Sequence, residues 1–250
     1  MIVRPRIRRR TVAGIVAAII AVALIVMNAP VLGLLGTNEI RMFPASGPAG
    51  AKPPRYAAVL FSGDMGFTSG MSEFVAKAIA ARGVPVVGVN TPVAFAHHRT
   101  QAQATAIVAQ AIRTTLERTG AQQVLLLSHS YGSDIVATVA PHLPVDLRPR
   151  IAVIDLAVPA LDVFFRADPS GFAYLWKPDA YPLPAIKQLK WAPVICIYGV
   201  EEEASLCPAL KGTGAQVVGL PGGHHLDHDH LRLIDATVNA LRAVVPGLRL

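Results

Sequence analysis

The pattern of hydrophobic positions divides the chain into an apolar N-terminal run and a body of short alternating elements. Continuous apolar runs predict buried strands at 56–61, 84–89, 124–127, 151–158, 194–198 and 216–220. Helical patterns lie between or after them, at 69–82, 104–116 and 229–244. Strands that are apolar throughout and alternate with helices are typical of a mostly parallel sheet covered on both faces. We therefore predict an α/β fold for residues 56–250.

The N-terminal run is apolar from Val12 to Met27, and arginines stand immediately before it. A basic flank followed by an apolar core is typical of a signal sequence or an uncleaved signal anchor. The apolar character resumes up to Leu35, which gives enough length to span a bilayer, and no small-residue cleavage site follows the core. We expect residues 1–36 to form an N-terminal transmembrane helix in the inner membrane. A cleaved signal and a buried core helix are the alternatives.

The next segment, residues 37–55, is rich in proline and glycine and predicts a stiff linker. The basic flank would stay in the cytoplasm, so the domain at 56–250 is expected in the periplasm.

The formal net charge is +7. Five arginines, however, precede the first acidic residue, Glu39, and the remaining chain has 18 basic against 16 acidic residues. The predicted domain is thus nearly balanced in charge and has no basic stripe with interleaved aromatics. We expect no nucleic-acid partner.

A strand-to-helix junction after the run at 124–127 carries the first candidate chemistry. It comprises Ser128, His129, Ser130, Tyr131 and Gly132. Small residues on both sides of a serine permit the sharp turn of a nucleophile elbow, in which the hydroxyl stands at a helix N-terminus. Ser128 occupies the position where glycine is usual. We predict Ser130 as a nucleophile; an ordinary polar turn is the alternative.

A serine in a nucleophile elbow takes its acid and its base from later in the chain. Two glycines and then His224 and His225 follow the last predicted strand, and we favour His224 as the base. Among the carboxylates after the strand at 194–198 we favour Glu202 as the acid, with Asp155 as the alternative. The following histidines lack the spacing of a dinuclear zinc site, so we expect no metal and no cofactor.

Main-chain N–H groups must form the oxyanion hole. We expect them from Asp64 and Met65, in the glycine-containing loop after the first strand of the domain, and from Tyr131.

The two cysteines, Cys196 and Cys207, flank the candidate acid. Export to an oxidising compartment favours a disulfide between them, and two unpaired thiols are the alternative. The segment 162–191 is rich in aromatic residues and lies where a cap or a covering loop is expected. Aromatics next to a membrane-tethered site are compatible with a surface that faces lipid.

These blocks together resemble the bacterial VirJ/AcvB virulence proteins, over about Tyr56 to the C-terminus. The most specific blocks are Cys196 to Gly199 with Glu202 and Cys207, and Leu220 to His225. The resemblance implies a periplasmic α/β-hydrolase. Its AcvB branch implies hydrolysis of lysyl-phosphatidylglycerol, an aminoacylated lipid, with Ser130 as nucleophile and His224 or His225 as base.

The expected function is that of a membrane-tethered serine hydrolase whose substrate is a lipid or aminoacyl lipid. The alternatives are another lipase or thioesterase, and a non-catalytic module that binds periplasmic protein partners of virulence or secretion.

Overall fold

The structure, a computed structural model, describes residues 9–46, 53–68 and 70–250. Its strands are β1 (Ile40–Phe43), β2 (Tyr56–Phe61), β3 (Val86–Val89), β4 (Gln123–His129), β5 (Ile151–Ala157), β6 (Val194–Gly199) and β7 (Gln216–Leu220). Its α-helices are α1 (Arg9–Met27), α2 (Ser72–Ala81), α3 (Thr91–Ala94), α4 (Gln101–Thr119), α5 (Tyr131–Val139), α6 (Leu183–Ile186) and α7 (His230–Val244).

The seven strands form one sheet in the order β1-β3-β2-β4-β5-β6-β7. Strand β1 is antiparallel to β3, and the other neighbours are parallel. The carboxyl ends of β2 to β7 therefore lie at one edge of the sheet, where ligands bind in open α/β folds. The predicted α/β fold with a mostly parallel sheet is confirmed.

Two hydrophobic cores cover the two faces of the sheet, and residues of β4 alternate between them. Val124 and Leu126 pack in the core that includes α4 and α5. Leu125 and Leu127 pack in the core that includes α2 and α7. Because side chains in a strand alternate between faces, burial of both faces requires the continuous apolar runs seen in the sequence.

Strand β1 was not predicted, because it lies in the segment interpreted as a linker. Ile40 to Phe43 pair with Val89 to Val86 at the edge of the sheet. Only Phe43 in this strand is buried, so the strand has no strong apolar pattern. Residues 40–43 of the predicted linker are therefore part of the sheet, and residues 47–52 lie outside the described residues.

The chain between α1 and β1 also contacts the domain. The Arg166 guanidinium donates to Asn28 Oδ1 over 2.9 Å, and Asn90 Nδ2 donates to the Leu35 carbonyl over 2.9 Å. The predicted transmembrane helix is not found as such: α1 covers the apolar run, but no helix in the described residues combines the length and apolar character needed to cross a membrane. Residues 1–8 lie outside the described part of the chain.

Candidate active site

Ser130 occupies the single position between the end of β4 and the start of α5. Its main chain has φ 50° and ψ −124°, a positive φ that non-glycine residues rarely adopt. Such strain persists where surrounding structure enforces it, and here the Ser130 N–H donates to the Ala157 carbonyl over 2.8 Å. Gly132 permits the close approach of α5 to β2, because a Cβ there would lie 2.5 Å from the carbonyl oxygens of Phe61 and Ser62.

The predicted base and acid form a hydrogen-bonded chain with Ser130. Ser130 Oγ lies 2.8 Å from His224 Nε2, and His224 Nδ1 lies 2.5 Å from Glu202 Oε1. When the proton of the neutral His224 ring is on Nδ1, that N–H donates to the Glu202 carboxylate, and Nε2 accepts from the Ser130 hydroxyl. The hydrogen bond to Glu202 raises the pKa of His224 above its ordinary value, against the opposing effect of burial. The structure thus places three side chains from three separate loops in the order needed for nucleophilic catalysis.

The loop with the acid and the loop with the histidine are held together by main-chain contacts. The Val200 N–H donates to the Leu220 carbonyl over 2.8 Å, and the Glu201 N–H donates to the Gly222 carbonyl over 3.1 Å. A Cβ at Gly199 would overlap the carbonyl oxygens of Gly222 and Gly223. Glycine at position 199 is therefore a requirement of this close packing.

The predicted disulfide is confirmed. Cys196 in β6 is bonded to Cys207, with their Cα atoms 5.4 Å apart. Both residues are buried, and the bond closes the chain segment that contains Glu202. It restrains the loop that presents the acid.

The alternative site residues take other positions. The His225 ring lies edge-on to His224 and stacks on His228, and it has no hydrogen bond to Ser130. Asp155 is buried within β5, not at its end, and contacts neither histidine through a hydrogen bond. Its Oδ1 has no hydrogen-bond partner among the described residues, and burial raises the pKa of Asp155 to about 8. In the described residues, no three His, Cys, Asp or Glu side chains converge as metal ligands.

The loop between β2 and α2 lies against the elbow, as expected for an oxyanion loop. A Cβ at Gly63 would lie 3.4 Å from Ser130 Cβ. Among the described residues, the N–H groups of Asp64, Met65 and Tyr131 donate to no main-chain carbonyl. The Tyr131 N–H is thus available to a ligand, whereas the N–H groups of Asp64 and Met65 also interact with the Asp64 carboxyl group and oppose the rise in its pKa.

Two residues that the sequence analysis did not single out hold this loop in place. Ser72, at the start of α2, accepts from the Gly63 N–H over 3.1 Å, and its Oγ lies 3.4 Å from His129 Nδ1. Burial lowers the pKa of His129 to about 4, so its ring is neutral at ordinary pH. The sequence indicated a role for His129 only through its position beside the nucleophile. It gave no indication for Ser72, which looks like an ordinary residue at the start of a helix.

Ser128 also has a structural role. Its hydroxyl is buried and donates to the Asp155 carbonyl over 2.8 Å, which ties β4 to β5 just before the elbow.

A cavity of about 320 Å³ opens in front of Ser130 and is lined by Asp64, Met65, Met71, Ser130, His224 and His225, among others. Burial raises the pKa of Asp64 at its wall, although His224 and His225 oppose this shift. The cavity is large enough for a small ester, and one of its walls is the candidate oxyanion loop.

The aromatic segment at 162–191 contributes both core and surface. Phe165 is buried, and Tyr174 stacks on Tyr131 with ring centroids 6.3 Å apart. Leu175 and Trp176 are 76% and 68% exposed. The segment therefore lies next to the elbow and presents apolar side chains to the outside.

Comparison with solved structures identifies the fold. An enol-lactonase from Burkholderia xenovorans LB400 is 17% identical, with a TM-score of 0.56 over 81% of this chain and 95% of that one. The ferulic-acid complex of Est1E from Butyrivibrio proteoclasticus is 14% identical, with a TM-score of 0.56 over 82% and 94%. An α/β serine hydrolase without a lid from Xanthomonas campestris is 14% identical, with a TM-score of 0.52 over 84% and 90%. At these identities the likeness establishes an α/β-hydrolase-like fold.

A search of curated proteins gave no significant match. Comparison with protein families matches residues 56–245 to the family described as bacterial virulence protein (VirJ). This match covers more than half of the chain and the whole of the candidate site. The chain therefore belongs to the VirJ family of bacterial virulence proteins.

Proposed function

We propose that this protein is a serine hydrolase that cleaves an ester. The observation that carries the proposal is the hydrogen-bonded chain from Ser130 through His224 to Glu202. Loops after three different strands must meet to form it, and they do so beside an open cavity. Serine, histidine and a carboxylate in this order activate a hydroxyl for attack on a carbonyl carbon.

In the first half of the reaction, Ser130 Oγ attacks the ester carbonyl while His224 Nε2 takes the hydroxyl proton. Glu202 stabilises the resulting imidazolium through Nδ1. The carbonyl oxygen becomes an oxyanion, for which the N–H groups of Tyr131 and of Asp64 or Met65 are the candidate donors. The tetrahedral intermediate then collapses, the ester C–O bond breaks, and His224 returns the proton to the departing alcohol.

In the second half, water attacks the acyl group on Ser130, and His224 accepts a proton from that water. Collapse of the second intermediate breaks the bond to Ser130 Oγ, which regains its proton. The acid product then leaves. No step requires a metal or an organic cofactor.

We further propose the aminoacyl ester of lysyl-phosphatidylglycerol as the substrate. Membership of the VirJ family and the resemblance to its AcvB branch support this choice. The carboxyl groups of Asp64 and Asp134 lie close enough to His224 to alter its pKa, so they are near a bound ester. They supply negative charge for a cationic acyl group.

A location in the periplasm, attached to the inner membrane through residues 1–36, completes the proposal. The disulfide supports an oxidising compartment. The exposed apolar side chains of α1, among them Ile15, Ile19 and Val22, support contact with lipid. The exposed Leu175 and Trp176 support a site that works at a lipid surface.

The proposal is tested with the purified full-length protein and vesicles that contain lysyl-phosphatidylglycerol. We expect release of lysine and formation of phosphatidylglycerol. Release of fatty acid instead would identify a lipase. Release of no product would contradict the proposal and favour the alternative of a non-catalytic module that binds protein partners. A reporter fused after Leu250 tests the location, because activity of a periplasm-dependent reporter is expected and activity of a cytoplasm-dependent one would contradict it.

A further inference from the structure

A second cavity lies next to Tyr131, the residue that follows the nucleophile. It measures about 290 Å³ and is lined by Tyr131, Asp134, Asp162, Phe164 and Tyr174, among others. Because Tyr131 directly follows Ser130, this cavity borders the candidate reaction centre. The catalytic steps above use none of its side chains.

Two carboxyl groups, those of Asp134 and Asp162, line the cavity. Asp134 Oδ1 accepts from the Ala160 N–H over 2.7 Å, and its other oxygen has no hydrogen-bond partner among the described residues. Neither Asp134 nor Asp162 forms an ion pair with a lysine or arginine in the described part of the chain. Burial, with smaller effects of Glu202 and Asp64, raises the pKa of Asp134 to about 7. A carboxylate removed from water and left unpaired is costly, and a bound cation would offset that cost.

An unpartnered hydroxyl gives a second, independent indication of a ligand. Tyr131 is only 4% exposed, yet its OH has no hydrogen-bond partner among the described residues. Buried tyrosine hydroxyls normally have one. A ligand N–H in the cavity would supply the missing donor.

The aromatic rings around the cavity add a third feature. Tyr174 stacks on Tyr131 with an interplanar angle of 17°, and Phe164 packs on Tyr174 with ring centroids 5.0 Å apart. Aromatic faces attract cations, most strongly where water is excluded.

We propose that this second cavity is a specificity subsite that binds a primary ammonium group on the acyl half of the substrate. Asp134 is the principal counter-ion, Asp162 adds charge at the exposed side, and Tyr131 accepts an ammonium N–H while the neighbouring rings surround the alkyl chain. The assignment of the ligand to the acyl half rests on the proposed esterase function; the affinity for an ammonium group does not.

Binding is measured first, without turnover, by calorimetry on the full-length Ser130→Ala protein with n-pentylammonium and with 1-pentanol. We expect the ammonium to bind at least about tenfold more tightly than the alcohol. Adding Asp134→Asn, which keeps an acceptor for the Ala160 N–H, should weaken ammonium binding about tenfold or more. Adding Asp235→Asn instead, an exposed charge on α7, should leave it unchanged. Equal affinity for both probes, or unchanged ammonium binding by a folded Asp134→Asn protein, would overturn the subsite.

Turnover is then compared on hexanoyl, norleucyl and lysyl esters of one alcohol, which share a six-carbon acyl chain and differ in ammonium groups. The ratio of kcat/KM for an amino ester to that for the hexanoyl ester should fall about tenfold or more in Asp134→Asn and stay at the parent value in Asp235→Asn. An unchanged ratio in Asp134→Asn would reject the subsite while the esterase function stands. Ammonium binding without hydrolysis of any ester would reject the esterase function while the cation site stands.

Discussion

Ser130 Oγ and His224 Nε2 lie 2.8 Å apart although 94 residues separate them in the chain. Ser130 is held by the junction of β4 and α5, and His224 by the loop after β7. Their distance is therefore set by the packing of the sheet and by contacts between loops.

The first prediction concerns Glu202→Gln. Glu202 raises the pKa of His224 above its ordinary value of 6.5, and the reaction requires His224 to be neutral. The value of kcat/KM should rise with pH as His224 loses its proton, with a midpoint above 6.5 in the parent. Glu202→Gln should move this midpoint to lower pH and reduce kcat about a hundredfold or more, because Nδ1 loses its charged partner. The pH profile of kcat/KM for both proteins checks this, and an unmoved acid limb would contradict the assignment of the acid.

The second prediction concerns Gly199→Ala. A Cβ at this position would overlap the carbonyl oxygens of Gly222 and Gly223, so the two loops must separate. We expect a loss of about 1–3 kcal/mol in the free energy of unfolding. Gly223→Ala is the matched control, because a Cβ there contacts nothing within 4 Å. Denaturant unfolding of the three proteins should rank Gly199→Ala lowest; equal stability of both variants would refute the close-packing account.

The third prediction concerns the disulfide between Cys196 and Cys207. The native protein should show no thiol that reacts with a maleimide until it is unfolded and reduced. Loss of the bond should lower the free energy of unfolding by about 2–4 kcal/mol, since the unfolded chain gains freedom. Unfolding with and without reductant measures this effect. The Cys196→Ala, Cys207→Ala double variant is the control, and a response of that variant to reductant would show that the effect lies elsewhere.

The fourth prediction concerns Asp155, whose pKa burial raises to about 8 from an ordinary value of 3.8. Between these values the folded state holds a proton that the unfolded state has released. This group therefore makes the protein less stable as pH rises from about 4 to about 8. Asp155→Asn removes the titration, so the parent should lose stability relative to the variant across that window. Thermal unfolding from pH 4 to pH 9 measures the difference, and parallel curves would contradict it.

Much of the fold follows from the sequence because both faces of the sheet are buried. That burial requires the apolar run that marks β2 at its observed bounds. The run at β7 predicts that strand at its observed bounds as well, although only Leu220 in it is buried. Strand β1 could not be predicted in this way, because only Phe43 in it is buried. The strand pairs with β3, which lies more than 40 residues later in the chain. Proline and glycine around it favoured the linker interpretation.

The site divides in the same way. Ser130 and Glu202 were predictable from their positions after strands. The choice between His224 and His225 depends on the conformation of their loop, which the preceding glycines do not restrict. The second cavity could not be predicted from the sequence. Asp134 lies on α5, whereas Asp162, Phe164 and Tyr174 come from a segment without a regular hydrophobic period. Only the folded chain brings these side chains together.

The central claim is that Ser130 is a nucleophile activated by His224, and labelling with a fluorophosphonate followed by intact-mass measurement tests it most directly. The parent should gain one adduct, located on Ser130, while Ser130→Ala should gain none and lose ester turnover about a thousandfold or more. His224→Ala should label far more slowly, and Ser128→Ala, which removes only a buried structural hydroxyl, should still label. Undiminished labelling or turnover in a folded Ser130→Ala protein would contradict the account.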